Sequence, residues 1–513
     1  MGSLWRDDED TNNAAPRLAA DLDVDACVVG AGIAGLTAAL ELARGGRTVA
    51  VLERHRAGAG VTGHSTAKLS SLQGSIYTEL ERRFGAGGAR GYAALSEAAI
   101  AYVAAQEIDC DLRRRPHAVF AWDADQRAVL KREADAATRA GLAVRMDDDR
   151  GLLPFPTAGA LVRDDQAELQ IGAYARGLAR ALTAAGGRLF EDTVVTHVGE
   201  GSHPVVRTEH GPRIRARDVV VATHYPILDR GLFFPRLTPK RSYCIAVRGA
   251  APQPPLMAIS IGAPTRSLRF APDPGRPGEE LLVLGGEGHL AGEDGDRTTE
   301  RYRALEAFAA EHFGATEVTH RWSAHDMTTA DGVPYAGRLT PLSRHVWVAT
   351  GFRKWGLTNG TAAGRILAAR ILGGAEHPHG ELFDTARFTP LRSAPGVLKE
   401  AAKDARHFVG DRFRRVPDVG LDALEPGGDG RLVRVDGELV AASRDADGTV
   451  HALSPQCTHL GCRVAWNRAE RTWDCPCHGS RFGPGGEVLE GPAVKGLRSR
   501  AVGVRTALVR SDD

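Results

Sequence analysis

Residues 24–35 read Val24-Asp-Ala-Cys-Val-Val-Gly30-Ala-Gly32-Ile-Ala-Gly35. The apolar run Ala26–Val29 has the character of a buried strand, and it meets a glycine-rich turn. Ile33–Ala43 then continues with helical periodicity as far as Gly45-Gly46. A second apolar strand, Thr48–Leu52, ends on Glu53. A G-x-G-x-x-G turn between a strand and a helix, with an acid closing the next strand, is a dinucleotide-binding pattern. Gly30 permits the tight turn, Gly32 lets the backbone approach a pyrophosphate, and Gly35 lets the helix pack closely on the strand. The helix N-terminus faces the phosphates. Glu53 can accept hydrogen bonds from both ribose hydroxyls of an adenosine, and its charge disfavours a 2′-phosphate.

Working outward, residues 58–75 form a Gly/Ser/Thr-rich loop where cofactor contacts are expected. Helices are predicted at about 86–106, 125–141 and 172–185. Strands follow at 188–198 and 214–222, and strand patterns fill 240–285, including 243–247 and 281–284. A helix is expected at 298–313, a strand at 345–350 and a closing helix at 360–372. The fingerprint alone does not choose FAD over NAD. Two later features favour FAD: the strand end Val219–Thr223, and the returning turn Gly351-Phe-Arg-Lys-Trp355-Gly356-Leu-Thr358-Asn-Gly360, whose backbone donors could reach a flavin.

The last hundred residues change character to short strands and Gly/Asp turns at 431–435, 438–443, 450–453, 473 and 502–509. Within them, Cys457-Thr-His459-Leu-Gly-Cys462 precedes Cys475-Pro-Cys477-His478-Gly-Ser480. Each half supplies one thiolate and one imidazole in a β context. Cys457, His459, Cys475 and His478 are therefore the expected ligands of a Rieske-type [2Fe–2S] cluster, cysteines on one iron and histidines on the other. Structural zinc is the competing use of two cysteines and two histidines. Four of the seven cysteines cluster here, which suits a metal centre better than a disulfide scaffold. Cys27, Cys110 and Cys244 lie in apolar patterns and read as packing.

At 513 residues the chain requires more than one core. Its 65 Lys+Arg balance 64 Asp+Glu, which gives no overall field for nucleic acid. There is no basic-then-apolar leader and no run of 18 apolar residues, so no transmembrane segment is expected and the expected compartment is cytoplasmic. The predicted architecture is an α/β FAD-binding Rossmann-like domain with an inserted mixed-sheet substrate lobe, plus a small C-terminal all-β Rieske domain. The expected boundaries are a flexible tail over 1–21, the oxidoreductase over 22–385, a basic linker helix over 386–416 and the Rieske domain over 417–510. Nucleotide-binding parts fall at about 22–75, 172–230 and 330–375, and the substrate lobe mainly at 76–171 and 231–329. The linker carries eight Lys/Arg between 387 and 415. It reads as a helix with a solvated basic side; the alternative is docking to an acidic partner or to the inner-membrane surface.

Residues 22–385 resemble the family of FAD-dependent amine and D-amino-acid oxidoreductases that includes glycine and sarcosine oxidases. The Gly30/Gly32/Gly35/Glu53 fingerprint, Gly332-Val-Pro334-Tyr-Ala-Gly337 and Gly351–Gly360 carry the likeness. Val61-Thr-Gly-His64-Ser-Thr-Ala-Lys68, together with the tail, resembles a bacterial subgroup fused to a Rieske domain. That resemblance implies cofactor contacts at Thr62, Ser65, Thr66, Lys68, Gly351, Trp355, Gly356 and Thr358, with FAD held non-covalently; the alternative is covalent attachment through His64. It also implies a small amine or amino-acid substrate, for which Lys68, Arg241, Tyr243, His325, Arg353 and Lys354 are candidate catalytic or binding residues. His289 and Arg321 are further polar candidates. The tail resembles the Rieske proteins of cytochrome bc and b6f complexes, which implies a Cys462–Cys477 disulfide and a Ser480 hydroxyl donating to cluster sulfur. Phe482 stands where those proteins have tyrosine, which implies a lowered potential. Gly285-Gly-Glu-Gly288 lacks a following helix, so a separate NAD(P)H site is not expected. The implied activity is oxidation of the substrate at FAD, with electrons leaving through the cluster to a protein or quinone acceptor. The alternatives are a dioxygen-using oxidase and a non-catalytic redox sensor.

Overall fold

The computed structural model describes residues 2–6, 14–148, 151–251, 255–292, 297–387, 420–421, 424–425 and 429–500. Contacts divide the chain into two compact units, residues 1–290 with 299–402, and residues 291–298 with 403–513.

In the first unit, the nucleotide-binding sheet runs in the order Tyr335–Arg338, Val346–Thr350, Arg213–Val221, Leu22–Val29, Val49–Leu52 and Arg188–Phe190. The four inner pairings, from Val346–Thr350 to Arg188–Phe190, are parallel, and Tyr335–Arg338 adds an antiparallel edge. All four residues of Val49–Leu52 are buried, as a parallel strand covered on both faces requires. Helix α1 (Ile33–Arg44) packs on this sheet. Helices α2 (Ile76–Ala104), α3 (Ala124–Arg139), α4 (Ile171–Ala184), α5 (Thr298–Phe313) and α6 (Gly356–Leu372) complete the set of α-helices among the described residues. α6 lies directly on α1: a Cβ at Gly364 would stand 2.6 Å from the Ala34 carbonyl oxygen.

The second sheet is the inserted lobe, and it is mixed as expected. Its order is Glu317–Thr329, Leu237–Arg248, Glu280–Leu290, Arg266–Pro272, Met257–Ser260, Arg113–Phe120, Ala160–Glu168 and Lys68–Leu69. Met257–Ser260 pairs with Arg113–Phe120 in parallel, whereas the other pairings are antiparallel. Its last strand belongs to the loop that follows Glu53: Lys68 pairs with Glu168 and Leu69 with Ala167.

Three expectations change. The helix predicted to begin near 86 starts at Ile76 and kinks at Gly85 (φ 70°), where its periodicity is interrupted. Its first turn is capped from a distance, because the Glu133 carboxylate of α3 accepts from Tyr77 N at 2.7 Å and from Thr78 N at 3.0 Å. A local pattern carries no trace of such a cap. The closing helix begins at Gly356 instead of Gly360. The segment 1–21, expected to be a flexible tail, is anchored where it is described. Leu4 and Trp5 are buried in a 3₁₀ turn, and Leu18 is buried with its N–H on Thr193 Oγ1 at 3.2 Å. Its acidic composition hid three apolar anchors.

The second unit carries a three-stranded sheet (Asp429–Val435, Glu438–Arg444, Val450–Leu453) and a four-stranded one (Ala465–Asn467, Thr472–Asp474, Arg481–Phe482, Val488–Glu490). The strand expected at 502–509 lies outside the described residues, as does the linker helix beyond Arg387. No helix among the described residues is long and apolar enough to cross a membrane.

Candidate functional site

Gly30 adopts φ +103°, and a Cβ there would fall 2.5 Å from the Ala222 carbonyl oxygen. The Val219–Thr223 strand end singled out in the sequence is thus the wall against which the glycine turn is pressed. A Cβ on Gly35 would meet the Gly30 carbonyl oxygen at 2.0 Å, so both positions exclude any side chain. Gly32 caps α1 with no side-chain hydrogen bond, leaving this helix end open to an anion. Thr62 Oγ1 accepts from Ile33 N at 3.2 Å, which places the loop hydroxyl at the same helix end. Glu53 accepts from Ala31 N at 2.8 Å and His55 N at 2.9 Å and remains partly exposed beside the turn. A glycine cradle that any Cβ would fill, an open helix N-terminus and an adjacent carboxylate fit the ADP half of FAD.

The returning turn closes the other side. Gly351, Arg353 and Lys354 have φ of 78°, 51° and 65°, so two consecutive non-glycine residues sit in the left-handed region. Each costs roughly 1–2 kcal/mol and persists only if its surroundings hold it. Arg353 N donates to Met327 O at 3.0 Å. The Asp326 carboxylate accepts from Met327 N at 2.7 Å and from the Lys354 amide; burial pushes its pKa up to about 7 against the Lys354 charge. Lys354 Nζ reaches Ser242 Oγ, and Arg353 turns toward Glu79 at 3.6 Å. Thr358 Oγ1 bonds both the N–H and C=O of Ser70 at 3.2 Å, stitching α6 to the loop.

Between turn and loop lies a buried polar group centred on Lys68. Its Nζ donates to Ala258 O at 3.0 Å and to Ser267 Oγ at 2.5 Å, and stands 6.0 Å from the centre of the Trp355 ring. Burial, helped by the Arg269 charge, pushes its pKa down to about 7. The His117 ring packs against Trp355 at 5.6 Å and bonds Ser70 Oγ at 2.8 Å; burial keeps it neutral.

Strand alternation sorts the remaining candidates onto two faces. On Leu237–Arg248, Ser242 and Cys244 face the loop: Ser242 meets Lys354, while Gly285, paired with Cys244, lies against both Cys244 Sγ and Thr66 Cγ2. Trp322, opposite Cys244, donates to His64 O at 3.0 Å. Arg241 and Tyr243 point to the other face. There Arg241 bonds Ser323 Oγ (2.8 Å), Tyr243 OH meets His289 Nε2 (3.1 Å), Arg321 pairs with Glu306 of α5 (2.6 Å) and His325 packs near His224 (5.4 Å). Lys68 and Lys354 are thus brought to the loop side, whereas Arg241, Tyr243, His289, Arg321 and His325 are not. Ser242, Asp326 and His117 were missed. The period of two across Lys240–Cys244 separates the faces, but nothing local says which one meets the loop.

In the second unit, two similar turns converge. Cys457 N donates to Cys462 O at 2.8 Å, and Cys475 N to Ser480 O at 2.8 Å. Gly461 and Gly479 both take positive φ within these turns. The Cys457 and Cys475 thiols touch, favouring a thiolate on Cys457, and the His459 and His478 rings stand 5.0 Å apart at 89°. Two thiols and two imidazoles converging in this way fit a Cys₂His₂-ligated cluster. Cys462 and Cys477 form a disulfide spanning 15 residues, with Cα atoms 6.5 Å apart. Both of its sulfurs lie within 4.8 Å of Cys475 Sγ, but being oxidised they are not available as ligands. Ser480 Oγ accepts from Ala493 N at 3.0 Å and reaches the Cys457 sulfur. Arg481, buried, ties Glu490, Glu470 and Asp474 together at 3.2–3.5 Å.

Comparison with known proteins decides the family. Residues 25–370 match the FAD dependent oxidoreductase family, and residues 418–501 match the Rieske [2Fe-2S] domain. The chain belongs to the FAD-dependent oxidoreductases. It is similar to the Rieske 2Fe-2S iron-sulfur protein YhfW of Bacillus subtilis, with 34% identity over 94% of each chain. It is also similar to gamma-glutamylputrescine oxidoreductase of Escherichia coli, at 26% identity over 78% of this chain and 91% of that one. The cytochrome b6-f complex iron-sulfur subunit of Volvox carteri matches 25% of this chain and 61% of its own length at 37% identity. In fold, the first unit is like glycine oxidase from Geobacillus kaustophilus, with a TM-score of 0.56 at 22% identity over 72% of this chain and 98% of that one. As an FAD-dependent oxidoreductase with a Rieske domain, the protein uses FAD and a [2Fe–2S] cluster.

The disulfide gives a direct test of how this oxidoreductase braces its second unit. Replacing Cys462 by serine is expected to lower that unit's stability by about 3 kcal/mol, the entropy of a 15-residue loop. Denaturant titration followed by cluster absorbance measures it; an unchanged midpoint would mean that the bridge does not brace the fold.

Proposed function

We propose that the protein oxidises a small amine or amino acid and passes the electrons through its Rieske cluster to an external acceptor, a protein or a quinone, in a cytoplasmic setting. The observation that carries this reading is that one nucleotide turn and one cluster domain share a chain, with no second nucleotide turn among the described residues. Gly285-Gly-Glu-Gly288 lies inside the strand Glu280–Leu290, so it is not a phosphate-binding turn and offers no NAD(P)H site. An organic electron donor is what remains. The relative named for γ-glutamylputrescine, an amine, supports the substrate class.

When bound, FAD would supply a hydride acceptor for the carbon beside the substrate nitrogen, and the cluster a one-electron carrier. The protein's residues do the rest. Cys457, His459, Cys475 and His478 hold the cluster. The glycine turn, Glu53, Thr62, Ser65 and Thr66 hold the nucleotide, with Gly351, Trp355, Gly356 and Thr358 closing the flavin end. Lys68 takes a proton from the substrate ammonium, freeing the lone pair that assists hydride departure. Lys354, positioned by Ser242 and Asp326, receives the substrate's polar end, and Arg353 borders the entrance. The resulting imine is released to water.

The rate of substrate oxidation is expected to rise as pH passes through about 7, where Lys68 loses its proton. Lys68→Met should remove this limb and slow oxidation about 100-fold, the lower range for a general base. A pH profile of anaerobic flavin bleaching measures both, and a mutant that keeps the limb would exclude Lys68. Folding stability should also rise between pH 7 and the ordinary lysine range, because there the unfolded chain binds the extra proton.

The relay itself is tested by mixing the oxidised protein anaerobically with a panel of amines and amino acids. Bleaching of flavin followed by cluster reduction supports it. Flavin bleaching with a cluster that stays oxidised would point to a dioxygen-using oxidase, and no bleaching with any donor to a redox sensor.

A further inference from the structure

The carbonyls of Gly63, Ser65 and Ala67 are held by three buried donors. Ser3 Oγ donates to Gly63 O at 2.5 Å, Trp5 Nε1 to Ser65 O at 2.7 Å and Arg269 to Ala67 O at 2.9 Å. The intervening residues look elsewhere. Thr62 places its hydroxyl on the α1 N-terminus, His64 O accepts from Trp322, and Lys68 reaches Ala258 and Ser267. The loop, a 3₁₀ turn over Val61–His64 followed by residues 65–68, is thus held from two sides: the N-terminal segment takes the Gly63 and Ser65 carbonyls, while Thr62 and Lys68 turn to the site.

That segment is built in. Ser3, Leu4 and Trp5 are 2%, 4% and 1% exposed. The Trp5 ring lies 5.2 Å from the Arg269 guanidinium, which also donates to Leu169 O at 2.9 Å. A Cβ at Gly172 would stand 2.1 Å from the Trp5 carbonyl oxygen, so the first turn of α4 is shaped to let this backbone pass.

We infer that Ser3 and Trp5 are positioning residues of the FAD site: they clasp the loop 62–68 from its outer side and so retain the cofactor. Neither side chain is assigned a contact with FAD; both act through the loop carbonyls. Thr62 sits at the nucleotide-binding helix end, and lifting the loop that carries it would break both hydrogen bonds.

The test uses the full chain loaded with both cofactors. Trp5→Phe keeps a ring against Arg269 but removes the indole N–H, and Ser3→Ala removes the hydroxyl. Dilution-induced FAD release, followed by the fluorescence of the freed cofactor, is expected to be about tenfold faster in Trp5→Phe, the equivalent of one lost hydrogen bond. Ser3→Ala should add to it. Iron per chain and the thermal midpoint of the FAD-stripped protein should be unchanged, while the extra stability conferred by added FAD falls. A general packing defect would instead lower the midpoint of the stripped protein. Release at the wild-type rate from folded variants, or a lowered stripped-protein midpoint with unchanged release, overturns the inference.

Discussion

Cys475→Ser is expected to remove the iron–sulfur cluster completely while leaving FAD in place. Cys475 is buried, touches the Cys457 thiol and lies within 4.8 Å of both disulfide sulfurs. Cys462 and Cys477 are engaged with each other, so among the described residues no free thiol stands by to replace it. A serine hydroxyl stays protonated near neutral pH and is a poor ligand for iron that prefers thiolate. Cys457, the other thiol at this centre, could not hold its iron alone. Iron and sulfide analysis should show near-zero content per chain, and the visible spectrum should reduce to that of flavin. The flavin should still bleach with substrate but lose its route to a protein acceptor. Retained cluster absorbance would refute the ligand assignment.

Gly30→Val is expected to give the opposite phenotype, a cluster without FAD. The substitution demands φ +103° from a β-branched residue and sets a Cβ 2.5 Å from the Ala222 carbonyl oxygen. That carbonyl cannot yield easily, since its strand is locked in parallel register from Ile214 to Val221. Backbone strain and overpacking together cost about 2–6 kcal/mol, and relaxation would move the turn that faces the phosphates. FAD affinity should fall by at least about 30-fold, since each 1.4 kcal/mol is tenfold. Gly46→Ala is the control. It also has positive φ (+80°) but nothing within 4 Å of its added Cβ, so it should bear backbone strain alone and keep its FAD. Cofactor-to-chain ratios of the purified proteins decide between these outcomes.

The features legible in the sequence share a cause: their physical requirement is local. Gly30, Gly35 and Glu53 are legible because a turn, a close approach and a carboxylate beside it are set by neighbours in the chain. The mixed second sheet follows likewise from runs of alternating residues. Illegible features depend on partners far along the chain. α2 begins at Ile76 because Glu133 caps it, and Trp5 is buried because Ser65, Gly172 and Arg269 receive it. Arg241, Tyr243 and His325 attracted attention by chemical type, yet strand phase turned them from the loop and brought Ser242 forward instead. Asp326 carries no local mark of its role, which comes from the left-handed pair Arg353–Lys354 brought onto it from far along the chain.

The pairing of Lys68 and Leu69 with Glu168 and Ala167 has a mechanical consequence. The strand that carries Lys68, the proton acceptor proposed above, is itself the margin of the second sheet, so the loop joins that sheet through a backbone ladder. Prising the lobes apart there would unzip that ladder and drag Lys68 out of register with Ala258 and Ser267. In the proposed reaction, Lys68 is therefore held at its place by backbone pairing before any substrate binds.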